Sequence, residues 1–180
     1  MRIKKEDTLA LIIDFQERLF PFIHENEKLT KNAVRLIQGL KALDIRMIVT
    51  QQYTKGLGGT SKEISDAIGD YQHVEKDSFS CCGSDEVCSS LKYFGKKNII
   101  VFGIESHVCV LQTVIDLIAM GYQPVLIEDC VSSRNPNDKM IAIERMRQEG
   151  AIISTYESIL FELCVVSGTD TFKAISKIVK

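Results

Sequence analysis

The stretch that decides the fold is KNIIVFGIESHVCVLQTVIDLIAMGYQPVLIED, residues 97–129. It begins with one β-branched run at 97–103 and ends with another at 122–129, each apolar on nearly every residue. Continuous apolar runs of this length are typical of strands that are covered on both faces. Between them, apolar residues recur at helical spacing from Val110 until Gly121 ends the pattern. The stretch therefore predicts a strand, a crossover helix and a second, parallel strand.

The same alternation extends in both directions along the chain. Further strands are predicted at 8–14, 45–50, 71–76 and 151–155. Amphipathic helical patterns separate them, including one from Leu29 to Leu43 and one that stops at Gly150. The glycine-containing segment 51–69 is predicted to be a long loop with one short helix at 64–68. Alternating strands and helices predict an α/β protein, a three-layer, doubly wound fold around a parallel sheet of six strands.

Composition limits the classes of partner. The chain has 180 residues and 22 basic against 24 acidic side chains, and no segment concentrates basic residues, so nucleic acid is not expected to bind. No apolar stretch reaches the ~18 residues that a membrane helix needs, so no membrane partner is expected. Six cysteines in a chain rich in core residues indicate free thiols in a reducing cytoplasm. We expect one soluble, cytoplasmic domain covering residues 1–180.

Four polar residues are predicted to share one edge of the sheet, where open parallel sheets bind their ligands. Asp14 ends the first strand, Lys76 follows the short third strand, Cys109 opens the helix after the fourth, and Asp129 ends the fifth. The first turn of a helix, together with a nearby lysine, would favour the thiolate form of Cys109. Asp14, Lys76 and Cys109 together describe an activated nucleophile with a base and a cation.

Each of these residues also has a purely structural interpretation. A cysteine at an apolar helix start is commonly a buried small side chain, and Lys76 is most simply a solvated surface lysine. Glu128 and Asp129 fit the role of acids that cap a loop. His107 is a candidate base for Cys109, but side chains two positions apart at a turn tend to point away from each other.

The cysteines Cys81, Cys82 and Cys88 lie close together, but their spacing is not that of a zinc site. They leave open a second hypothesis, a thiol redox or sensor protein in which Cys81 or Cys82 pairs with another cysteine. A third hypothesis is a non-catalytic binding protein on the same fold.

A family resemblance runs from about Thr8 to about Ile175. It is carried, in order, by the blocks LIIDFQERLFP, VTQQYTKGLG, EKDSFSCCGSDEV, GIESHVCVLQT, EDCVSSRNPNDKMIAIERMRQEGA and STYESILFEL. Together these blocks resemble the isochorismatase-like cysteine hydrolases, and most of all the isochorismatase domain-containing subgroup. The resemblance implies a sheet order of 3-2-1-4-5-6 and a catalytic triad of Asp14, Lys76 and Cys109, the same three residues that the sheet edge selects.

The resemblance also implies a backbone feature and a reaction. The bond between Ile104 and Glu105 would be a non-proline cis peptide, and the backbone N–H groups of Glu105 and Cys109 would form an oxyanion hole. The implied reaction is acyl transfer. Asp14 accepts the thiol proton, Cys109 attacks a carbonyl, Lys76 holds the thiolate and orients Asp14, and water hydrolyses the acyl-enzyme.

Departures from the family pattern narrow the activity. Nicotinamidases bind a metal through an aspartate and a histidine just after the second strand, where this chain reads TQQYT at 50–54, so no metal and no cofactor is expected. Isochorismatases proper lack the cysteine, so Cys109 argues against vinyl ether cleavage. The expected substrate is a small amide or a related carbonyl compound. The predicted pocket residues are Phe15, Phe20, Gln51, Tyr53 and Phe79.

Self-association is also expected, because relatives of this size usually assemble through helices. The C-terminal segment predicts a helix with Phe172, Ile175 and Ile178 on one side. That side could pack on the protein's own core or on a neighbouring subunit, and the sequence does not choose between them. We therefore expect a homo-oligomer that binds a small-molecule substrate.

Overall fold

Six parallel strands form one sheet in a computed structural model that describes residues 2–180. They are β1 (Thr8–Ile13), β2 (Met47–Gln52), β3 (His73–Lys76), β4 (Asn98–Ile104), β5 (Gln123–Ser132) and β6 (Ile152–Ser154). The order is β3-β2-β1-β4-β5-β6, with every neighbouring pair parallel, so the predicted strand number, direction and order are confirmed. The order reverses between β1 and β4, and a crevice opens where such a reversal occurs, at the carboxyl ends of the two strands.

Helices cover both faces of the sheet. They are α1 (Asn26–Ala42), α2 (Thr54–Leu57), α3 (Lys62–Ile68), α4 (Asp85–Phe94), α5 (Leu111–Ala119), α6 (Pro136–Glu149), α7 (Tyr156–Cys164) and α8 (Asp170–Val179). Helix α1 packs against α3, α7 and α8, whereas α5 packs against α6. Right-handed crossovers account for this division, because connections that run toward opposite edges of the sheet place their helices on opposite faces.

The two central strands, β1 and β4, are buried along their whole length. This explains why both have continuously apolar sequences rather than alternating ones, since helices cover both faces. Each fully buried Leu, Ile or Val side chain contributes about 1.5–3 kcal/mol relative to an exposed one. The apolar core therefore extends along both strands up to the edge where β1 and β4 end.

The segment after β2 is more ordered than the predicted loop. Strand β2 continues two residues beyond Thr50, and two short helices, α2 and α3, follow it, the second overlapping the predicted helix at 64–68. The buried side chain of Gln16 fastens this segment, because its Nε2 donates to the carbonyl oxygens of Gln52 and Gly58 at 3.0 and 2.8 Å. The segment is thus held against the end of β1.

The prediction that Asp129 ends the fifth strand and faces the site is wrong. Strand β5 runs on to Ser132, and its pairing with β4 shifts register between Leu126 and Val131. The Oδ1 atom of Asp129 instead accepts a hydrogen bond from the backbone N–H of Tyr156 at 2.9 Å. Asp129 therefore fixes the start of α7, a capping role of the kind also considered for it from the sequence.

The C-terminal helix packs on the protein's own core. Helix α8 contacts α1 and α7, with Ile175 fully buried and the ring of Phe172 6.1 Å from that of Phe161. None of the helices in residues 2–180 is both long and apolar enough to cross a membrane.

Candidate active site

Asp14 and Lys76 form a buried ion pair at the carboxyl edge of the sheet. Asp14 directly follows β1, Lys76 is the last residue of β3, and the Lys76 Nζ lies 2.6 Å from the Asp14 Oδ2. Their side chains are 3% and 0% exposed, respectively. A charge in such surroundings is tolerated only when it is paired. Lys76 is therefore not a solvated surface lysine, and the pair has a fixed geometry.

Thr50 holds the other oxygen of the aspartate, a role that no sequence pattern indicated. The Thr50 hydroxyl donates to Asp14 Oδ1 at 2.7 Å, and the Asp14 N–H donates to the Thr50 carbonyl at 3.3 Å. Asp14 itself has a positive φ of 51°. Both carboxylate oxygens are thus occupied, one by a hydroxyl and one by an ammonium group.

Lys76 is fixed by several acceptors. Its Nζ donates to the carbonyl oxygens of Ser78 and Phe79 at 3.0 and 3.1 Å and to the side-chain oxygen of Gln52 at 3.4 Å. Burial is the largest single influence on the pKa of Lys76 and lowers it, but the Asp14 carboxylate together with Cys81 and Cys109 raises the pKa by more, so it lies above its usual value. The lysine is therefore a permanent cation in this site.

Cys109 lies in a π-helical segment, Ser106–Val110, rather than in the first turn of an α-helix. Its Sγ donates to the Oε1 of Gln52 at 3.1 Å, and the residue is 6% exposed. Burial raises the pKa of the Cys109 thiol well above its usual value, and the negative charge of Asp14 raises it further, which Lys76 only partly offsets. These influences oppose the resting thiolate that the sequence predicted, because desolvation outweighs the effect of the lysine.

The backbone between β4 and Cys109 has an unusual course. The peptide bond between Ile104 and Glu105 is cis. The carbonyl oxygen of Glu105 accepts from the N–H groups of Val108 and Val110 at 3.1 and 3.2 Å. This tight turn brings Glu105 and Cys109 to the same cavity, where the oxyanion hole formed by their N–H groups stays a prediction.

A cavity of about 130 Å³ opens onto the thiol. Its lining consists of Asp14, Leu19, Gln52, Leu57, Phe79, Ile104, Glu105, Val108 and Cys109. The walls are mainly apolar, and the polar groups converge beside the sulfur. A space of this size admits only a small molecule, smaller than the ligands of typical drug-sized pockets. Wider grooves of about 350 to 500 Å³ lie elsewhere on the surface, away from these residues.

Of the five predicted pocket residues, only Phe79 lines this cavity. Phe15 is buried in the core between the rings of Phe20 and Phe102. Gln51 donates to the hydroxyl of Thr60, and Tyr53 is 55% exposed. Phe20 lines a separate groove. These four predictions are wrong.

The neighbour of Gln51, Gln52, enters the site instead. Side chains of a strand alternate between its two faces, so Gln51 and Gln52 point in opposite directions. Because the strand was predicted to end at Thr50, neither glutamine was placed on a face of the sheet. The alternation of side chains along a strand identifies Gln52 as a site residue only when the strand is extended to Gln52.

The remaining histidine and cysteine candidates lie apart from Asp14, Lys76 and Cys109. His107 Nδ1 lies 2.9 Å from the Ser133 hydroxyl, in a contact that directs the ring toward the loop after β5. All six cysteines are free, and Cys88 Sγ donates to the carbonyl oxygen of Cys82 at 3.2 Å. In the part of the chain that the structure describes, no three His, Cys, Asp or Glu side chains are grouped so that they could hold a metal ion.

The comparison with known families matches the isochorismatase domain over residues 8–158. Isochorismatase domain-containing protein 1 of Salmo salar is 36% identical over 173 residues, which cover 96% of this chain and 61% of that protein. The chain thus spans less than two thirds of the length of this relative.

Solved structures agree with the sequence comparison. The structure of MAR1 ribonuclease from Caenorhabditis elegans is 34% identical in sequence, has a TM-score of 0.93, and the match covers 99% of this chain and 92% of that protein. The YcaC gene product of Escherichia coli, described as an octameric hydrolase of unknown specificity, has a TM-score of 0.92 at 22% identity and covers 99% of this chain and 89% of its own. With the family domain matched over most of its length, the chain belongs to the isochorismatase family.

Proposed function

We propose that the protein is a cysteine-dependent hydrolase that acts on a small amide or a related carbonyl compound through an acyl-enzyme on Cys109. The observation that carries the proposal is the buried Lys76–Asp14 ion pair, whose aspartate lines a cavity of about 130 Å³ together with Cys109. Membership of a family with a hydrolase fold is consistent with it.

The raised pKa of the Cys109 thiol supports a mechanism that starts from the protonated thiol. The thiol is protonated at rest, so Asp14 takes the proton as the sulfur attacks the carbonyl carbon. Lys76 stabilises the negative charge that develops on the sulfur as its proton leaves, and the N–H groups of Glu105 and Cys109 stabilise the charge that then forms on the carbonyl oxygen. The protonated Asp14 then gives its proton to the leaving amine.

Water completes the cycle. Asp14, again ionised, takes a proton from a water molecule that attacks the thioester carbon. The product carboxylic acid leaves, and the proton returns to the Cys109 sulfur. Thr50 keeps the carboxylate oriented through both halves, since its hydroxyl is hydrogen-bonded to Asp14 Oδ1.

The location and assembly of the protein are part of the same proposal. Six free thiols fit a reducing cytoplasm. A homo-oligomer is supported by the octameric state given for the Escherichia coli hydrolase of the same fold. Sedimentation velocity of the purified protein tests this, with a single species larger than the 20.2 kDa chain expected. A monomer at micromolar concentration would remove the oligomer from the proposal.

Intact-protein mass spectrometry with pooled small amides and esters tests the mechanism. We expect a transient adduct on wild-type protein and none on Cys109→Ser protein, with product formation lost in both Cys109→Ser and Asp14→Asn variants. Cys164→Ser is the matched control, because Cys164 is a partly exposed thiol on α7, away from the cavity. Full turnover by the Cys109→Ser variant would end the proposal.

A further inference from the structure

Glu105, a residue in the wall of the cavity, carries a carboxylate that the proposed mechanism does not use. The residue is 6% exposed and lines the cavity together with Asp14 and Cys109. Its Oε1 accepts two hydrogen bonds from Arg134, at 3.1 Å from the backbone N–H and at 3.0 Å from Nε. One oxygen of this carboxylate is thus fully engaged at the outer side of the site.

The second oxygen, Oε2, is different. Within residues 2–180 no group donates a hydrogen bond to it, and the atom is not sealed from solvent. The atom therefore borders open space, and a donor that enters this space satisfies it. The mechanism above uses only the backbone N–H of Glu105 and leaves this oxygen without a role.

From this geometry we infer that Glu105 Oε2 faces the cavity and selects the substrate, by accepting a hydrogen bond from an N–H group that the substrate carries beyond its reacting carbonyl. The inference rests on the proposed function and narrows its substrate class to small amides with a second N–H donor and no carboxylate. Arg134 is then a positioning residue, which holds Glu105 by its other oxygen.

The other groups of the cavity agree with this selection. The Asp14 carboxylate and the Gln52 Oε1 are also acceptors, and the remaining walls are apolar side chains such as Leu57 and Phe79. Lys76 does not line the cavity, and its ammonium group is already bound to four acceptors, including Asp14. An anionic substrate would meet two carboxylates and no free side-chain cation in this lining.

Binding to the Cys109→Ala protein tests the inference without requiring turnover. Malonamide, butyramide and malonamate are similar in length and end in an N–H donor, a methyl group and a carboxylate. Their dissociation constants are measured from amide chemical shifts by NMR. We expect malonamide to bind about tenfold more tightly than butyramide, the difference of one hydrogen bond to a charged group, and malonamate to bind most weakly.

Two further variants separate recognition from a structural role. Glu105→Gln, added to Cys109→Ala, should remove most of the preference for malonamide over malonamate, whereas Arg134→Gln should lower it less, because the carboxylate remains and still accepts from the backbone N–H of residue 134. Glu128→Gln is the control, since Glu128 lies outside the cavity and pairs with Lys139.

Equal binding of malonamide and butyramide, no binding of either, or equal losses in the Glu105 and Arg134 variants would overturn the inference. If the binding order holds and wild-type protein hydrolyses none of the compounds, the proposed function fails and the recognition role of Glu105 stands.

Discussion

At the scale of the single residue, the proposed chemistry depends on the protonation state of the Cys109 thiol. Burial and the Asp14 charge both raise the pKa of this thiol, and Lys76 lowers it. In Asp14→Asn protein one raising influence is lost and the lowering one stays, so the pKa of Cys109 falls. We expect iodoacetamide to alkylate Cys109 faster than in wild type at pH 8, while hydrolysis is lost because the proton acceptor is gone.

The measurement is the rate of mass increase against pH, with the modified residue identified by peptide mapping. Glu128→Gln protein serves as the control, because Glu128 is a partly exposed acid outside the cavity. Slower alkylation of Cys109 in Asp14→Asn protein than in wild type at the same pH would mean that Asp14 activates the resting thiol directly.

The Lys76–Asp14 pair leads to a stability prediction at the same scale. Lys76→Met protein leaves the Asp14 carboxylate buried without its cation, and breaking a buried ion pair in this way costs about 3–5 kcal/mol in the free energy of unfolding. The double variant Lys76→Met/Asp14→Asn removes both charges and should recover part of this loss. Urea denaturation of the four proteins measures the coupling. Additive losses in the double variant would show that the two side chains do not interact.

At the scale of secondary structure, Gly103 sets the approach of β4 to β1. It has a φ of 141°, and a Cβ at this position would overlap the carbonyl oxygen of Ile13, the residue before Asp14. Gly103→Ala should therefore destabilise the protein by more than the strain of a positive φ alone, which is about 1–2 kcal/mol. It should also displace Asp14 and reduce hydrolysis.

Gly121→Ala is the matched control for this change. Gly121 also has a positive φ, of 85°, but a Cβ added there would have no atom within 4 Å. Urea denaturation of both variants separates backbone strain from steric overlap. If the two variants lose the same free energy of unfolding, the close approach of β1 and β4 has no energetic consequence.

The secondary structure also shows which elements a sequence can specify. The apolar runs of β1 and β4 were found because helices cover both faces, a condition that requires an apolar side chain at nearly every position of the strand. The end of β5 was missed because Glu128 and Asp129 look like a loop, whereas the structure continues through them with a shift of register. The hydrogen bond that stabilises Asp129 comes from Tyr156, far along the chain, and no local pattern reports it.

At the scale of the whole molecule, the strand order explains how much of the site was predictable. Asp14 and Cys109 follow adjacent central strands, β1 and β4, so a parallel sheet brings them together whatever the loops do. The resemblance to a family selected the same residues and supplied the strand order. Of the cavity walls, the sequence predicted Phe79 but not Leu19 or Leu57, because these two belong to the segments after β1 and β2, whose course no strand pattern determines.

The charge of the whole molecule favours a small-molecule substrate over RNA. Cleavage of RNA is the activity named for the structurally similar protein of Caenorhabditis elegans. This chain has a net charge of -2, and its cavity of about 130 Å³ is lined by two carboxylates and no lysine or arginine. Binding to the phosphate backbone needs several cationic contacts. We therefore expect RNA affinity weaker than about 100 μM at physiological salt, the weak end of non-specific binding.

Fluorescence anisotropy with a labelled single-stranded RNA, and gel analysis of the same RNA after incubation, measure binding and cleavage together. Wild-type and Cys109→Ser proteins, purified in parallel, should give the same low background of cleavage, since a contaminating nuclease does not depend on Cys109. Cleavage that disappears in the Cys109→Ser protein would instead show that the triad acts on RNA. In that case the groups that read the phosphates would have to lie outside the cavity, because its carboxylates Asp14 and Glu105 repel them.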